Sequence, residues 1–422
     1  MTIALPIQLR QIRGTVLIPL LDQPGFKIVP DALIAIDDSG RISSVEEAAN
    51  SSEIPETRPG CVWMPGFVDT HLHFPQSRVV GSASGPLLQW LEETIFPEEA
   101  RFVDAHYART VADEFCQSML CKGTVAAAVY SSSNAHATQT LFEAMARVGL
   151  RGLVGLTLMD RMAPQNVILE ADSALGAARE LAEQWHGYDD GRLEFCVTPR
   201  FAISCTPKLL RGAAKLAHDL NLPVQTHISE NQQEIDTVLS LFPGHKSYLD
   251  VYAQAGLLDG RSILAHCIHL SDDEWDMLAR SGCSVSHCPD SNFFLGSGQM
   301  PLHKLQSRHI EWGLGTDVGA GRTFSLRRIA ASAYDTALLT ESKVTAEALL
   351  WYASRGGAKV LGMGDRTARI EVGYEADFIA VQCAHGALGP DRLFDSLIFQ
   401  HDRSGVDATF IRGRRVYAKS AS

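Results

Sequence analysis

The chain of 422 residues has no cysteines at C-x-x-C spacing. Its nine, Cys61, Cys116, Cys121, Cys196, Cys205, Cys267, Cys283, Cys288 and Cys383, are scattered and odd in number. That distribution fits the reduced thiols of a cytosolic protein better than a disulfide framework. No apolar run approaches the roughly 18–20 residues of a membrane span. The first ten residues lack a basic leader followed by a sustained apolar core, so no signal peptide is expected and the expected compartment is the cytoplasm. Positive charge is scarce: 37 Lys and Arg stand against 49 Asp and Glu, for a formal net charge of −12. An acidic balance without a basic stripe argues against nucleic acid as a partner. No G-x-G-x-x-G follows an early strand, which weakens a doubly wound dinucleotide-binding sheet. No Gly/Ser linker or low-complexity tract divides the chain. The hydrophobic share of 45% and charged share of 20% suit a soluble globular enzyme, and the length allows one large domain plus a smaller one.

The two ends of the chain share a β-rich texture. Residues from Ile7 to Val62 read as short strands and turns, with Asp37-Asp-Ser-Gly40 before Arg41-Ile-Ser-Ser-Val45. Val372–Val381 and Ala408–Tyr417 repeat the turn-plus-strand pattern. One small β-sandwich domain assembled from both termini, residues 1–63 and 367–422, is therefore expected. Between them, residues 64–366 alternate short apolar strands with amphipathic helical stretches such as Ser173–Trp185 and Lys208–Leu220. The eight strand candidates are Gly66–His71, Thr124–Tyr130, Gly152–Leu158, Leu193–Phe201, Pro223–Ile228, Ser262–Ile268, Cys283–His287 and Ile310–Thr316. Eight βα units with buried strands predict a (β/α)8 TIM-like barrel of the α/β class.

In such a barrel, chemistry sits at the C-terminal ends of the strands. Strand one delivers His71 and His73, and residues two apart on a strand face the same side. Strand five ends in His227-Ile-Ser-Glu230, strand six in His266-Cys-Ile-His269, strand seven in His287 and strand eight in Gly315-Thr-Asp317. Metal-competent side chains thus recur at the predicted strand ends. His71, His73, His227 and Asp317 make an N3O set for one divalent cation, of a kind that suits zinc or iron. The free oxygen of Asp317 can take a proton from a water that the cation activates.

Glu230, three residues past His227, is placed for general acid/base work. His266 could bind the metal or hydrogen-bond the nucleophile; the second role is preferred, because four ligands are already present. For His269 and His287 a satisfied structural histidine is at least as good a reading. His106, His136, His186, His218, His245 and His385 show no comparable placement. Strand four ends in Thr198-Pro-Arg-Phe201 without a lysine to bridge a second metal, so one cation is expected and Arg200 is free to offer its donor fork to substrate. The insert after strand one holds Phe74-Pro-Gln76, Leu88-Gln-Trp90-Leu and Phe96-Pro97. Gln76 carries the donor and acceptor that a lactam-like edge requires. Trp90 and Phe96 could roof a flat ring, or belong to an apolar helix face.

These residues resemble the amidohydrolase superfamily over nearly the whole chain, on Pro65-Gly-Phe-Val-Asp-Thr-His71-Leu-His73, the strand-five and strand-six histidines, Gly315-Thr-Asp317 and Gly373-Tyr-Glu-Ala-Asp377. Narrower motifs resemble its guanine-deaminating branch: Pro75-Gln76, Leu88-Gln-Trp90-Leu, Phe96-Pro-Glu98, Pro199-Arg-Phe-Ala-Ile-Ser-Cys205, His227-Ile-Ser-Glu-Asn231, Cys288–Gly298 and Gly315–Gly321. The resemblance implies hydrolytic deamination of guanine to xanthine and ammonia, with attack at C2. It implies one zinc per chain on His71, His73, His227 and Asp317. Glu230 and Asp317 would shuttle protons, with Glu230 serving ring N3 and Asp317 the leaving amine, and His266 would stand near the nucleophile. Gln76, Arg200 and Phe201 match positions that recognise guanine, and a homodimer is implied. Asp290 departs from the family, which more often has Thr or Asn there. The rival readings are an amidohydrolase acting on 8-oxoguanine, isoguanine, an adenosine-type nucleoside or a chlorotriazine, and a scaffold that kept the fold without the chemistry. The unrelated zinc deaminase pattern is set aside, since His309-Ile-Glu311 has no P-C-x-x-C to accompany it.

Overall fold

The computed structural model describes residues 8–47, 54–83, 85–383, 390–400 and 404–419. The two β-rich ends meet in one seven-stranded sheet. Its order is Arg414–Ala418, Val406–Ile411, Phe378–Gln382, Glu56–Pro65, Gln11–Pro19, Phe26–Ile36 and Ile42–Glu47. Trp63 lies edge-on to Phe378 at 6.2 Å and tilted over Phe410 at 5.6 Å. Ile12, Val16 and Ile34 complete a buried core separate from that of the barrel.

Glu56–Pro65 runs straight into the first barrel strand, Phe67–His73. Gly66 at the junction donates its N–H to Asp377 O at 3.1 Å. A Cβ there would come within 2.4 Å of the Val125 methyls, so only glycine lets the strand cross this closely. The other barrel strands are Thr124–Tyr130, Arg151–Gly155, Leu193–Phe195, Val224–Ile228, Ser262–His266, Ser284–His287 and Trp312–Leu314. Their ladders are parallel throughout. Six of the eight, including the first, are buried at every residue, as strands covered on both faces must be. A bridge from Val197 to Val224 joins the two halves. Asp317 N donates to His71 O and His73 N to Val318 O, each at 2.8 Å, which brings the eighth strand back onto the first. The (β/α)8 architecture follows.

Strands three and four are not the continuous runs the sequence predicts. Each breaks and resumes, as Thr157–Leu158 and Thr198–Pro199, which pair with one another. The chains approach closely at the break, where a Cβ on Gly155 would lie 1.7 Å from Thr198 Oγ1 and only glycine fits. The helices predicted at Ser173–Trp185 and Lys208–Leu220 span Ala171–Trp185 and Pro207–Leu220. Thr206 caps the latter by accepting from Leu209 N, and Pro207 takes the first position, where no N–H is needed. None of the nine cysteines is in a disulfide. Among the described residues no helix is long and apolar enough to cross a membrane.

Candidate active site

Asp69 is a carboxylate inside a fully buried strand, and it fixes the geometry of the site. It accepts from Thr316 N at 3.0 Å, Thr316 Oγ1 at 2.6 Å and His71 N at 3.2 Å. The end of strand eight is thereby pinned beside the end of strand one. Asp317 follows in the left-handed region, at φ 48°, and presents its carboxylate to both strand-one histidines. Its Oδ1 lies 3.2 Å from His71 Nε2 and 3.3 Å from His73 Nε2. From strand five, His227 Nε2 stands 3.1 Å from His73 Nε2. His227 Nδ1 lies 2.7 Å from the Arg200 carbonyl, an acceptor only, so Nδ1 carries the proton and Nε2 keeps its lone pair.

The four ligand atoms of His71, His73, His227 and Asp317 all lie within 4.8 Å of one another, and all four residues are buried. Burial pushes His73 down to about 3 and His227 well below the ordinary imidazole value, the neighbouring rings adding to the second shift. Both are therefore neutral, the form that binds metal. Burial alone would raise the Asp317 carboxyl, but the His71 and His73 side chains beside it hold it well below its usual range. His71 Nε2 is buried without an aligned hydrogen-bond partner. Three converging neutral nitrogens and one carboxylate satisfy each other poorly and a divalent cation well, so the residues fit a metal.

Glu230 and His266 stand beside this cluster. Burial and then the Asp317 charge push the Glu230 carboxyl up to about 8. Ser297 Oγ donates to its Oε1 at 3.1 Å, and its Oε2 lies 3.4 Å from His266 Nε2. Asn292 Oδ1 receives His266 Nδ1–H at 3.0 Å, which turns Nε2 toward Glu230 and, at 3.9 Å, toward Asp317 Oδ2. Two carboxyls in one site with affinities driven apart suit one to hold a proton while the other stays ionised.

A cavity of about 380 Å³ opens from His73, His227 and Asp317 toward Gln76, Trp90, Arg200 and Phe201. Trp90 is buried and donates its Nε1–H to Ser82 O at 2.9 Å, which fixes the ring in the wall. Phe96 sits 5.4 Å from the Arg200 guanidinium, beneath the arginine rather than over the cavity. Glu99 joins the two polar walls: it accepts from Arg200 Nη1 at 2.7 Å and from Gln76 Nε2 at 3.2 Å.

The sequence-predicted residues thus converge on one place, with some exceptions. His269 is turned to the loop, its Nε2 2.7 Å from Ser297 O. His287 is buried against Trp312 and has no hydrogen-bond partner. Asp290 does not line the cavity; Arg322 grips it through N at 2.8 Å, Nε at 3.2 Å and Nη2 at 2.6 Å. Its unusual charge is absorbed by the strand-eight loop. His385 lies outside the described residues. Sequence reasoning missed Asp69, Glu99, Asn292 and Ser297. A carboxylate within the buried Phe67–His73 strand was a signal for the first. The other three had none of comparable strength.

A model described as the amidohydrolase family matches residues 62–416. Guanine deaminase of Escherichia coli (strain K12) is 36% identical over 412 residues, spanning 94% of this chain and 93% of that one. A solved structure of E. coli guanine deaminase superimposes with a TM-score of 0.92 at 34% identity, covering 98% of this chain and all of the other (100%). Guanine deaminase from C. acetobutylicum, solved with guanine bound in the active site, gives a TM-score of 0.89 at 28% identity, with 97% and 100% covered. With a family match over most of its length and relatives this similar, the chain belongs to the amidohydrolase family.

Proposed function

We propose that this hydrolase deaminates guanine to xanthine and ammonia, using one zinc ion per chain. The observation that carries the reading is a single cavity joining His73, His227 and Asp317 to the Gln76 and Arg200 walls. His71, His73, His227 and Asp317 would hold the metal, which when bound supplies Lewis-acid activation of water. The protein's own groups do the rest. Gln76 and Arg200 grip the oxo edge of the base, while Phe201 and Trp90 bound its flat faces. Glu230, which holds a proton, gives it to ring N3 as oxygen adds to C2, while the ionised Asp317 takes the proton that the water gives up. Asp317 passes its acquired proton to the exocyclic amine, Glu230 takes back the proton of the added hydroxyl as C2=O forms, the C2–N bond breaks and ammonia leaves. His266, aimed by Asn292, holds the attacking oxygen in line.

Residues 64–366 form the catalytic unit in this reading, and residues 1–63 with 367–422 the smaller one. A cytoplasmic homodimer is the expected working form. An absorbance assay comparing kcat/KM for guanine, 8-oxoguanine, isoguanine, adenosine and a chlorotriazine tests the substrate. Guanine is expected to lead, and a clear preference for another compound overturns the reading. Strongly substoichiometric metal, with no ammonia released after zinc reconstitution, would point instead to a scaffold.

A further inference from the structure

Glu98 and Glu99 are adjacent in the helix Phe96–Glu99 and serve different sides of it. Glu98, itself buried, is turned away from the cavity and is ion-paired with Arg101 at 2.9 Å and hydrogen-bonded by Tyr107. Glu99 faces inward and is buried, with one oxygen on Arg200 and the other on Gln76. A carboxylate oxygen only accepts, so the amide nitrogen of Gln76, not its oxygen, must face Glu99. The other end of that amide agrees: Gly319 N donates to Gln76 Oε1 at 3.2 Å. The orientation of Gln76 is therefore set twice over. One amide N–H remains uncommitted. Arg200 has only donors to offer, and its Nη1 is anchored by the same carboxylate.

We infer that Glu99 is a positioning residue for base selectivity: it orients Gln76 and Arg200 so that the cavity wall presents donors, and the wall therefore accepts a purine with a 6-oxo group and rejects one with a 6-amino group. The inference rests on the guanine reading above and says which residue enforces it. Glu99→Gln, which puts an amide in place of the carboxylate, removes the enforcement. If the new amide gave its oxygen to Arg200, its NH2 would face Gln76, whose own amide must then flip and set nitrogen against Gly319 N–H. A wall of mixed polarity results, and a site discriminates strongly only while a wrong partner leaves its buried polar groups unpaired.

The test compares guanine with 2,6-diaminopurine, which keeps the 2-amino leaving group and exchanges the 6-oxo group with its N1–H for a 6-amino group with a bare N1. The kcat/KM for both bases is measured in the wild type, Glu99→Gln and Glu99→Ala, with metal content and thermal unfolding checked for each. The wild type should prefer guanine. Both variants should lower that preference by about 10- to 100-fold, the worth of a hydrogen bond to a charged group. The loss should fall on guanine and mainly in KM, with metal content unchanged. A merely structural role would lower both bases together; an unchanged ratio in an active, metal-loaded variant overturns the inference and leaves the guanine reading standing. A wild type inactive on guanine overturns both. Should one variant fail to fold, the ratio in the other decides.

Discussion

At the N-terminal ends of the barrel strands, Arg151 and Arg192 are buried against Glu375 and Asp377. At the C-terminal ends, His71 and His73 are buried beside Asp317 and Glu230, and the His227 ligand nitrogen converges on them. The first cluster is closed in charge, although Arg151 Nε has no hydrogen-bond partner among the described residues. Arg151 Nη2 and Arg192 Nη1 reach Glu375 Oε2 at 2.6 and 2.5 Å, and Arg192 Nη2 reaches Asp377 at 2.9 Å. Opposite charges meet at bonding distance, and strands three and four are tied to the turn Gly373–Asp377. The second cluster is open. His73 and His227 are neutral, His71 Nε2 and His266 Nε2 lack hydrogen-bond partners among the described residues, and its carboxyls differ widely in proton affinity. A buried site whose polar groups satisfy one another is a tie. A site whose polar groups converge unsatisfied is built to take something in.

The sharpest way to break this contrast is at Glu230. Glu230→Gln keeps the shape and removes the proton carrier. Turnover of guanine should fall by about 10³-fold or more, as loss of a general acid/base does. Metal content and thermal stability should stay near wild type. Retained turnover in an ammonia-release assay would remove Glu230 from the proton path.

At the other end the expected loss is of stability. Glu375→Gln leaves Arg151 and Arg192 buried without their shared counter-charge, which costs about 3–5 kcal/mol, and kcat/KM for guanine should stay within about twofold. Urea unfolding beside the activity assay separates the two ends. If activity collapsed while stability held, the closed cluster would be functional after all. The pH dependence follows. Despite burial, which alone would raise it, the arginines hold the Glu375 carboxyl down to about 2 against an ordinary 4.5. A depressed carboxyl contributes stability above its unfolded value and loses it as the pH falls toward its folded value. Wild-type stability should therefore drop between about pH 5 and 2, and Glu375→Gln should show a shallower acid slope there.

The two ends were unequally legible. The open cluster announces itself because strand geometry is local: His71 and His73 must share a face, and residues ending parallel strands must share a rim. The closed cluster depends on pairings such as Arg151 with Glu375, 224 residues apart, which no period encodes. Glu98 and Glu99 show the same limit at close range. Both are buried, and nothing in Phe96-Pro-Glu-Glu99 says which carboxylate meets the cavity wall, because the neighbours that decide it, Gln76 and Arg200, come from other elements. The close approach at the break in strands three and four is hidden likewise, since the crowding at Gly155 comes from Thr198. Asp290 reads in sequence as an intruder on the substrate loop and proves to be tied to Arg322.

The smallest effect sharpens the contrast inside the open end itself. Asn292 touches neither the four-residue metal cluster nor the cavity, yet its Oδ1 alone orients His266. With Asn292→Ala the His266 ring loses its anchor at Nδ1, and its Nε2 is no longer fixed toward Glu230 and Asp317. A group that acts by aiming another should cost about tenfold in kcat, at the lower end of what such outer partners contribute, and leave KM and metal content near wild type. Asn292→Asp keeps the acceptor and should recover most of the rate. If alanine instead lowered metal content, His266 would belong among the ligands, and the metal set would have five members rather than four.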